Sequence, residues 1–239
     1  MQRARTAHRR PAAARTMIVV ALSVLAAVVL TGCRSQPGVA AYVDDTRYTD
    51  ASVEQMTASV QHLIAEGATG NVRQQIVADE VFVDIAKRYA KEHDYPAPTV
   101  HVDAVTAQYK LPPDNAWAKL TAEADAYRQL LLQHADKVTP TDAELRDIYD
   151  RAVAAHLADP NAFDAIKPQI LAIDGVAQAV AVKRALTDAV RRYHVTVNPR
   201  YQPSEFSLLQ LQTGQGQGFD AVVLPFGASA ASPAVIPAQ

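Results

Sequence analysis

Apolar residues recur along this chain mostly at helical spacing, and the interruptions fall at clusters of Pro, Gly and Asp. Val53, Met56, Val60 and Leu63/Ile64 share one face of a helix that Thr49 or Asp50 can cap and that runs to about Gly67. Gly67 to Gly70 breaks it. From about Asn71 to His93 the polar residues Arg73, Glu80, Asp84, Lys87 and Lys91 keep to a narrow stripe. Val72, Ile76, Val77, Val81, Phe82, Ile85 and Tyr89 take most of the remaining circumference, so this helix is packed on several sides. Tyr95-Pro-Ala-Pro98 stops it, and a short helix from Thr99 to Tyr109 ends before Leu111-Pro-Pro-Asp114.

Trp117, Leu120, Ala124, Tyr127 and Leu131 follow at alternating spacings of three and four, the seam of a helix lying lengthwise on a partner. Val138-Thr-Pro-Thr-Asp-Ala-Glu144 is a helix start. Pro140 suits a first turn, and Thr141 with Glu144 has capping-box spacing. Leu145, Ile148, Tyr149, Ala152 and Val153 mark its buried face, and Asp159-Pro160-Asn161 ends it. A turn bearing Phe163 and Ile166 leads to Pro168. The last long helix is expected to run from there to about Tyr193, because an interior proline loses a backbone hydrogen bond.

Strand-like runs stand at both ends of the helical stretch: Val39–Val43, followed by a turn at Asp44-Asp45-Thr46, and His194–Val197. Beyond Asn198-Pro199 the composition turns to Gln, Gly, Ala and Pro. Residues 202–239 read as a low-complexity tail, largely flexible, within which Phe219–Phe226 can dock as a strand or segment. The Gly214, Gly216 and Gly218 of GQGQG belong to that tail and not to a phosphate loop.

The N-terminus is of another kind. Residues 1–16 are basic and acid-free, and Met17 to Leu30 is apolar throughout except for Ser23. At ~1.5 Å per residue this run falls short of a ~30 Å hydrocarbon core and fits the apolar region of an export signal. Leu30-Thr31-Gly32-Cys33 follows and resembles a bacterial lipobox. Leu30, Thr31 and Gly32 would be read by the signal peptidase, and the Cys33 thiol would take the lipid as a thioether. Residues 1–32 are then the lipoprotein signal peptide and 33–38 a tether. The expected location is the cell membrane, lipid-anchored on its extracytoplasmic face. Two or more acyl chains, at ~0.8 kcal/mol per buried CH₂, give stable anchoring.

Charge and cysteine usage narrow the function. The chain carries 23 basic and 25 acidic residues; taking away Arg3, Arg5, Arg9, Arg10 and Arg15 with the signal leaves 18 against 25, or −7. That balance speaks against nucleic-acid capture. The single cysteine excludes an internal disulfide. No HExxH, G-x-S-x-G or S-x-x-K occurs, so no catalytic residue, metal ligand, cofactor or nucleotide site is assigned, and the chain is not expected to be an enzyme. His62, His93, His134, His156 and His194 are read as helix-surface or helix-end residues. The acid pairs at Asp44-Asp45 and Glu92-His93-Asp94 are read as solvated.

Two ends of the chain together resemble the SurA/PrsA-type extracytoplasmic chaperones. Val39-Ala-Ala-Tyr-Val-Asp-Asp-Thr-Arg-Tyr-Thr49 is similar to their opening "AxVNGxxIT" strand–turn–strand, with Asp44-Asp45 in place of Asn-Gly and Tyr48 in place of Ile or Val. Val138-Thr-Pro-Thr-Asp-Ala-Glu-Leu-Arg-Asp-Ile-Tyr149 is similar to their "VTdeElkayY" helix, and the likeness continues through Phe163, Ile166 and Ile170 to Val195-Thr-Val197-Asn-Pro-Arg-Tyr201. In larger relatives a parvulin prolyl-isomerase domain separates the two helices that here are parted only by Ala158 to Asn161. The resemblance therefore implies the chaperone module alone, over residues 39–201. The expected fold is mainly α, with about six helices closed by a small two- or three-stranded β-element that pairs the N- and C-terminal strands. The implied function is a holdase for unfolded or newly secreted polypeptides, without isomerase activity; a lipoprotein scaffold or assembly subunit with one specific partner is the alternative.

Overall fold

At Gly38 the backbone takes φ +81°, a conformation open to glycine, and its carbonyl accepts from the Asp50 amide at 3.0 Å. The computed structural model describes residues 37–65, 71–212 and 217–227. The lipobox residues Leu30, Thr31, Gly32 and Cys33 lie outside them. Strand β1 (Val39–Val43) turns at Asp44, whose φ of 49° an Asp tolerates, into β2 (Thr46–Thr49). The Thr49 hydroxyl then caps α1 (Asp50–Ser59) by accepting from the Ser52 amide. The expected single helix to Gly67 is divided: Val60 leaves helical geometry at φ −121°, and α2 (Gln61–Ala65) follows as a separate turn.

Helix α3 (Val72–Glu92) is the axis of the fold. Ile76, Val77, Ala78, Val81, Phe82, Val83, Ile85, Ala86 and Ala90 are buried on it, and α1, α5, α8, β1 and β4 pack around it. Its polar stripe is spent on neighbouring elements. Arg73 pairs with Glu54 at 2.8 Å, Glu80 accepts from the Ser52 hydroxyl at 3.0 Å, and Lys87 pairs with Glu123 at 2.8 Å. Asp84 accepts from the Tyr48 hydroxyl at 2.9 Å and from Arg88 at 2.6 Å, and Arg88 also reaches Asp44 at 2.8 Å. The β1–β2 hairpin is thereby tied to the central helix.

Helix α4 (Val102–Tyr109) begins three residues later than Thr99. Helix α5 (Ala116–His134), capped by Asn115, lies along α3 with Ala124 and Leu131 buried. Helix α6 (Asp142–Ala154) has the capping box expected: the Glu144 amide donates to the Thr141 hydroxyl at 3.3 Å and the Thr141 amide to Glu144 at 2.7 Å. Thr141 being the N-cap, Pro140 precedes the helix instead of sitting in its first turn.

Pro168 does not start the last helix. It lies inside α7 (Phe163–Ala172) at an exposed position, where the loss of one backbone hydrogen bond costs less than it would in the core. The break comes at Gly175, at φ 88°, and α8 (Val176–Arg192) sets off at 90° to α7. Eight α-helices are thus present among the described residues, against about six expected.

β3 (Thr196–Val197) pairs antiparallel with β1, Ala41 opposite Val197 and Tyr42 opposite Thr196, giving a sheet of order β2-β1-β3. The Asn198 amides add bonds to Ala40 O at 2.8 Å and Val39 O at 2.9 Å. Val39–Val43 and Thr196–Val197 therefore pair, but β3 is not the last strand: a second sheet of two strands follows it, where one small β-element was expected.

The flexible tail assigned to residues 202–239 is corrected over residues 204–212 and 218–226. After a 3₁₀ turn at Pro199–Tyr201, β4 (Ser204–Gln212) and β5 (Gly218–Phe226) form an antiparallel hairpin in register from Ser204 opposite Phe226 to Gln212 opposite Gly218. Phe206, Leu208, Ala221, Val222, Leu224 and Phe226 are buried in the same core as α3, α6 and α8. Burial of those side chains, at ~1.5–3 kcal/mol each for the larger ones, outweighs the compositional bias toward disorder.

Candidate functional site

A cleft of about 460 Å³ opens between α3, α5 and β4, with Tyr109 of α4 among its lining. Gln75 and Asp79, one turn apart on α3, face Trp117, Thr121, Ala124, Asp125 and Arg128 on successive turns of α5. From β4 come Phe206, Ser207, Leu209 and Gln210. Neighbours along a strand point to opposite faces, so lining by Phe206 with Ser207, and by Leu209 with Gln210, brings the edge of the strand to the cleft. On its other edge β4 pairs with β5, its one strand partner among the described residues. The register is irregular between Ser207 and Gln210, where bulges bend the strand beside the opening.

The walls are aromatic and the floor is polar. Trp117 meets Tyr109 edge-on, ring centroids 5.2 Å apart, and Phe206 stacks on Phe82 at 3.6 Å and 4°. Asp79 is only 3% exposed, and its Oδ1 accepts from Gln75 Nε2 at 2.7 Å. Burial pushes its carboxyl up to about 7 against that hydrogen bond, with the charges of Asp125 and Glu80 adding to the rise. Arg128, the cation in the lining, is held by Asp125 at 3.0 Å. The hydroxyls of Thr121 and Ser207 are buried without a hydrogen-bond partner among the described residues.

A second cleft, about 330 Å³, lies between the ends of α3 and α5 and the side of α8. His134 stacks on Tyr95 at 4.2 Å, Tyr89 contacts His93 at 4.2 Å, and Val182 and Leu186 form the base. His93 and His134 are exposed helix-end residues as expected, and both line this groove; His62 and His156 are exposed too. His194 is exposed and approaches Asp44 at 3.1 Å. Of the acids expected to be solvated, Asp45 and Asp94 are exposed, whereas Asp44 pairs with Arg88, and Glu92 accepts from the Tyr193 hydroxyl at 2.5 Å and pairs with Arg192 at 3.0 Å. No group of three His, Cys, Asp or Glu able to hold a metal occurs among the described residues. Residues 213–216 of the Gln/Gly run lie outside the described residues.

Sequence reasoning missed the cleft. One signal was legible: Asp79 falls three residues after Ile76 and three before Phe82, on the apolar side of α3, where an acid has no place in a solvated stripe. The contribution of β4 was hidden in a segment read as tail. Comparison with protein-family models, curated proteins and solved structures finds no match to the chain.

Proposed function

We propose that the chain is a membrane-anchored extracytoplasmic lipoprotein that acts as a holdase, binding unfolded or newly secreted polypeptides reversibly. In this reading it uses no nucleotide or cofactor, is not an enzyme, and has no prolyl isomerase activity. Lipid on Cys33 keeps it at the outer face of the cell membrane. The observation that supports the reading is the unpaired edge of β4 facing an aromatic wall across an open cleft. An extended segment laid there would bond to the strand through its main chain, which every sequence offers, while Trp117 and Phe206 cover its apolar side chains. Promiscuity follows from main-chain recognition, and the −7 balance beyond the signal keeps the holdase itself soluble. The resemblance to the SurA/PrsA-type module points the same way, since residues 155–162 between α6 and α7 leave no room for a parvulin domain.

The test is light scattering of several unrelated denatured proteins with the chain from residue 34 onward, whose core lies wholly within 39–226. Suppression of aggregation near stoichiometric ratio is expected; unchanged scattering for every client defeats the proposal. The buried unpartnered hydroxyls of Thr121 and Ser207 favour a second reading, a scaffold or assembly subunit whose one specific partner satisfies them. It predicts no suppression and a single dominant protein on affinity capture.

A further inference from the structure

We infer that the cleft selects client segments carrying a lysine or arginine, and that Asp79 receives that cation between the rings of Trp117 and Phe206. The inference deepens the holdase reading and rests on it.

Asp79 is a carboxylate in the floor of an open cleft with a neutral amide for its hydrogen bond. No Lys or Arg forms an ion pair with it among the described residues, and the nearest cation in the lining, Arg128, is committed to Asp125. A buried acid without a counter-charge is a cost that an incoming cation removes. Burial holds this carboxyl partly protonated near neutral pH, which lets the fold tolerate it while the cleft is empty.

The remaining lining suits the same guest. Aromatic faces attract ammonium and guanidinium groups, and the apolar stems of Lys and Arg can lie along Trp117, Ala124 and Leu209. An extended segment on the β4 edge sends every second side chain to one side, so one long basic residue can reach toward α3 while its neighbours stay at the rim. The acidic balance of the chain beyond residue 32 favours the approach of basic segments over acidic ones.

Trp117 is the only tryptophan in the chain, so its emission reports on the cleft without a label. The probes are acetylated, amidated peptides identical except for lysine or norleucine at the central position. With the chain from residue 34 onward, the lysine peptide should bind about tenfold tighter, the worth of one charge-assisted hydrogen bond. Asp79→Asn, which keeps an acceptor for Gln75, should lower the lysine peptide's affinity to that of the norleucine peptide and so abolish the difference. Equal affinities in the unmodified chain, or a preference that survives Asp79→Asn, overturns the inference while the holdase reading stands on its own scattering result. A response to free n-butylamine equal to that of the lysine peptide overturns the assignment to polypeptide. Neither peptide binding, together with no suppression of aggregation, overturns both readings.

Discussion

Phe82, midway along the central helix, and Phe206, on the hairpin that follows the last helix, stack face to face with ring centroids 3.6 Å apart and planes 4° from parallel. The two residues are 0% and 5% exposed. This contact joins a helix built early in the chain to a strand more than a hundred residues later. It also sets the position of β4, because the ring that stacks on α3 belongs to the same strand segment that lines the larger cleft. Stability of the core and geometry of the cleft are therefore coupled through one side chain.

Phe206→Ala should lower the unfolding free energy by about 3–5 kcal/mol, the range for truncating a buried phenylalanine. A urea titration checks this. A flexible tail would instead leave the midpoint unchanged. A uniform loss in a single transition would establish that the hairpin unfolds with the helices; an early, separate loss of strand signal would mean that it does not.

Asp79 gives the fold a pH dependence opposite in sign to that of a salt-bridged acid. Its folded carboxyl is raised to about 7, whereas the same group in the unfolded chain ionises near the ordinary value of 3.8. Over the interval between, the folded state holds the extra proton, so stability is full at low pH and is lost as pH rises from about 4 toward 7. Glu80, likewise raised to about 7 by burial and only partly relieved by the Ser52 hydroxyl, acts in the same direction. Asp79→Asn should stabilise the chain at pH 8 by on the order of 1–3 kcal/mol and change little at pH 4. Equal melting temperatures at pH 8 would mean that the carboxylate is better solvated than its burial implies.

Periodicity made the helical part of this fold legible, and the same criterion concealed the hairpin. The α3 stripe, the α5 seam and the Thr141–Glu144 capping box each place polar and apolar residues at fixed helical offsets, and each appears where its pattern lies. β4 fails the matching test for a strand because its bulges between Ser207 and Gln210 shift the alternation midway. β5 fails it because Ala221, Val222, Val223 and Leu224 are all buried, so both faces are covered and nothing alternates. Pro168 misled for a related reason: an exposed proline in a short helix gives up one hydrogen bond to water, a lesser penalty than in a core helix. The cleft lay beyond sequence reasoning because its opposite walls, α5 and β4, come together only after the hairpin folds back over α3.

The clasp between β1 and the segment that follows α8 runs largely through Asn198. Its side-chain amide donates to Val39 O at 2.9 Å, its carbonyl oxygen accepts from the Arg200 amide at 3.1 Å, and its backbone amide donates to Ala40 O at 2.8 Å. Asn198→Ala removes the first two bonds and keeps the third. The expected cost is about 1–2 kcal/mol, visible as a lower thermal midpoint in circular dichroism. Deleting Val195–Asn198 removes β3 altogether and should destabilise the whole unit, since β1 then keeps only β2 as a partner. An unchanged midpoint in the deletion would show that the β1–β3 pairing contributes nothing.

The proposed lipid anchor would depend on a sulfur atom that nothing else in the chain can replace, because Cys33 is the only cysteine. A thioether to diacylglycerol needs a thiol, and in the lipobox reading the small side chains at Thr31 and Gly32 would give a membrane-embedded peptidase access to the bond before it. Cys33→Ser keeps the size of the residue and removes the nucleophile. Labelling of cells with a radioactive fatty acid should then give no labelled band, and mass spectrometry should find either the uncleaved precursor or a product without acyl chains. With the lipid gone, the proposed holdase would also lose its fixed position beside emerging polypeptides, so its effect on them in cells should fall while purified protein suppresses aggregation as before. Normal acylation of the serine variant would remove the lipobox reading, and with it the membrane location proposed for the chain.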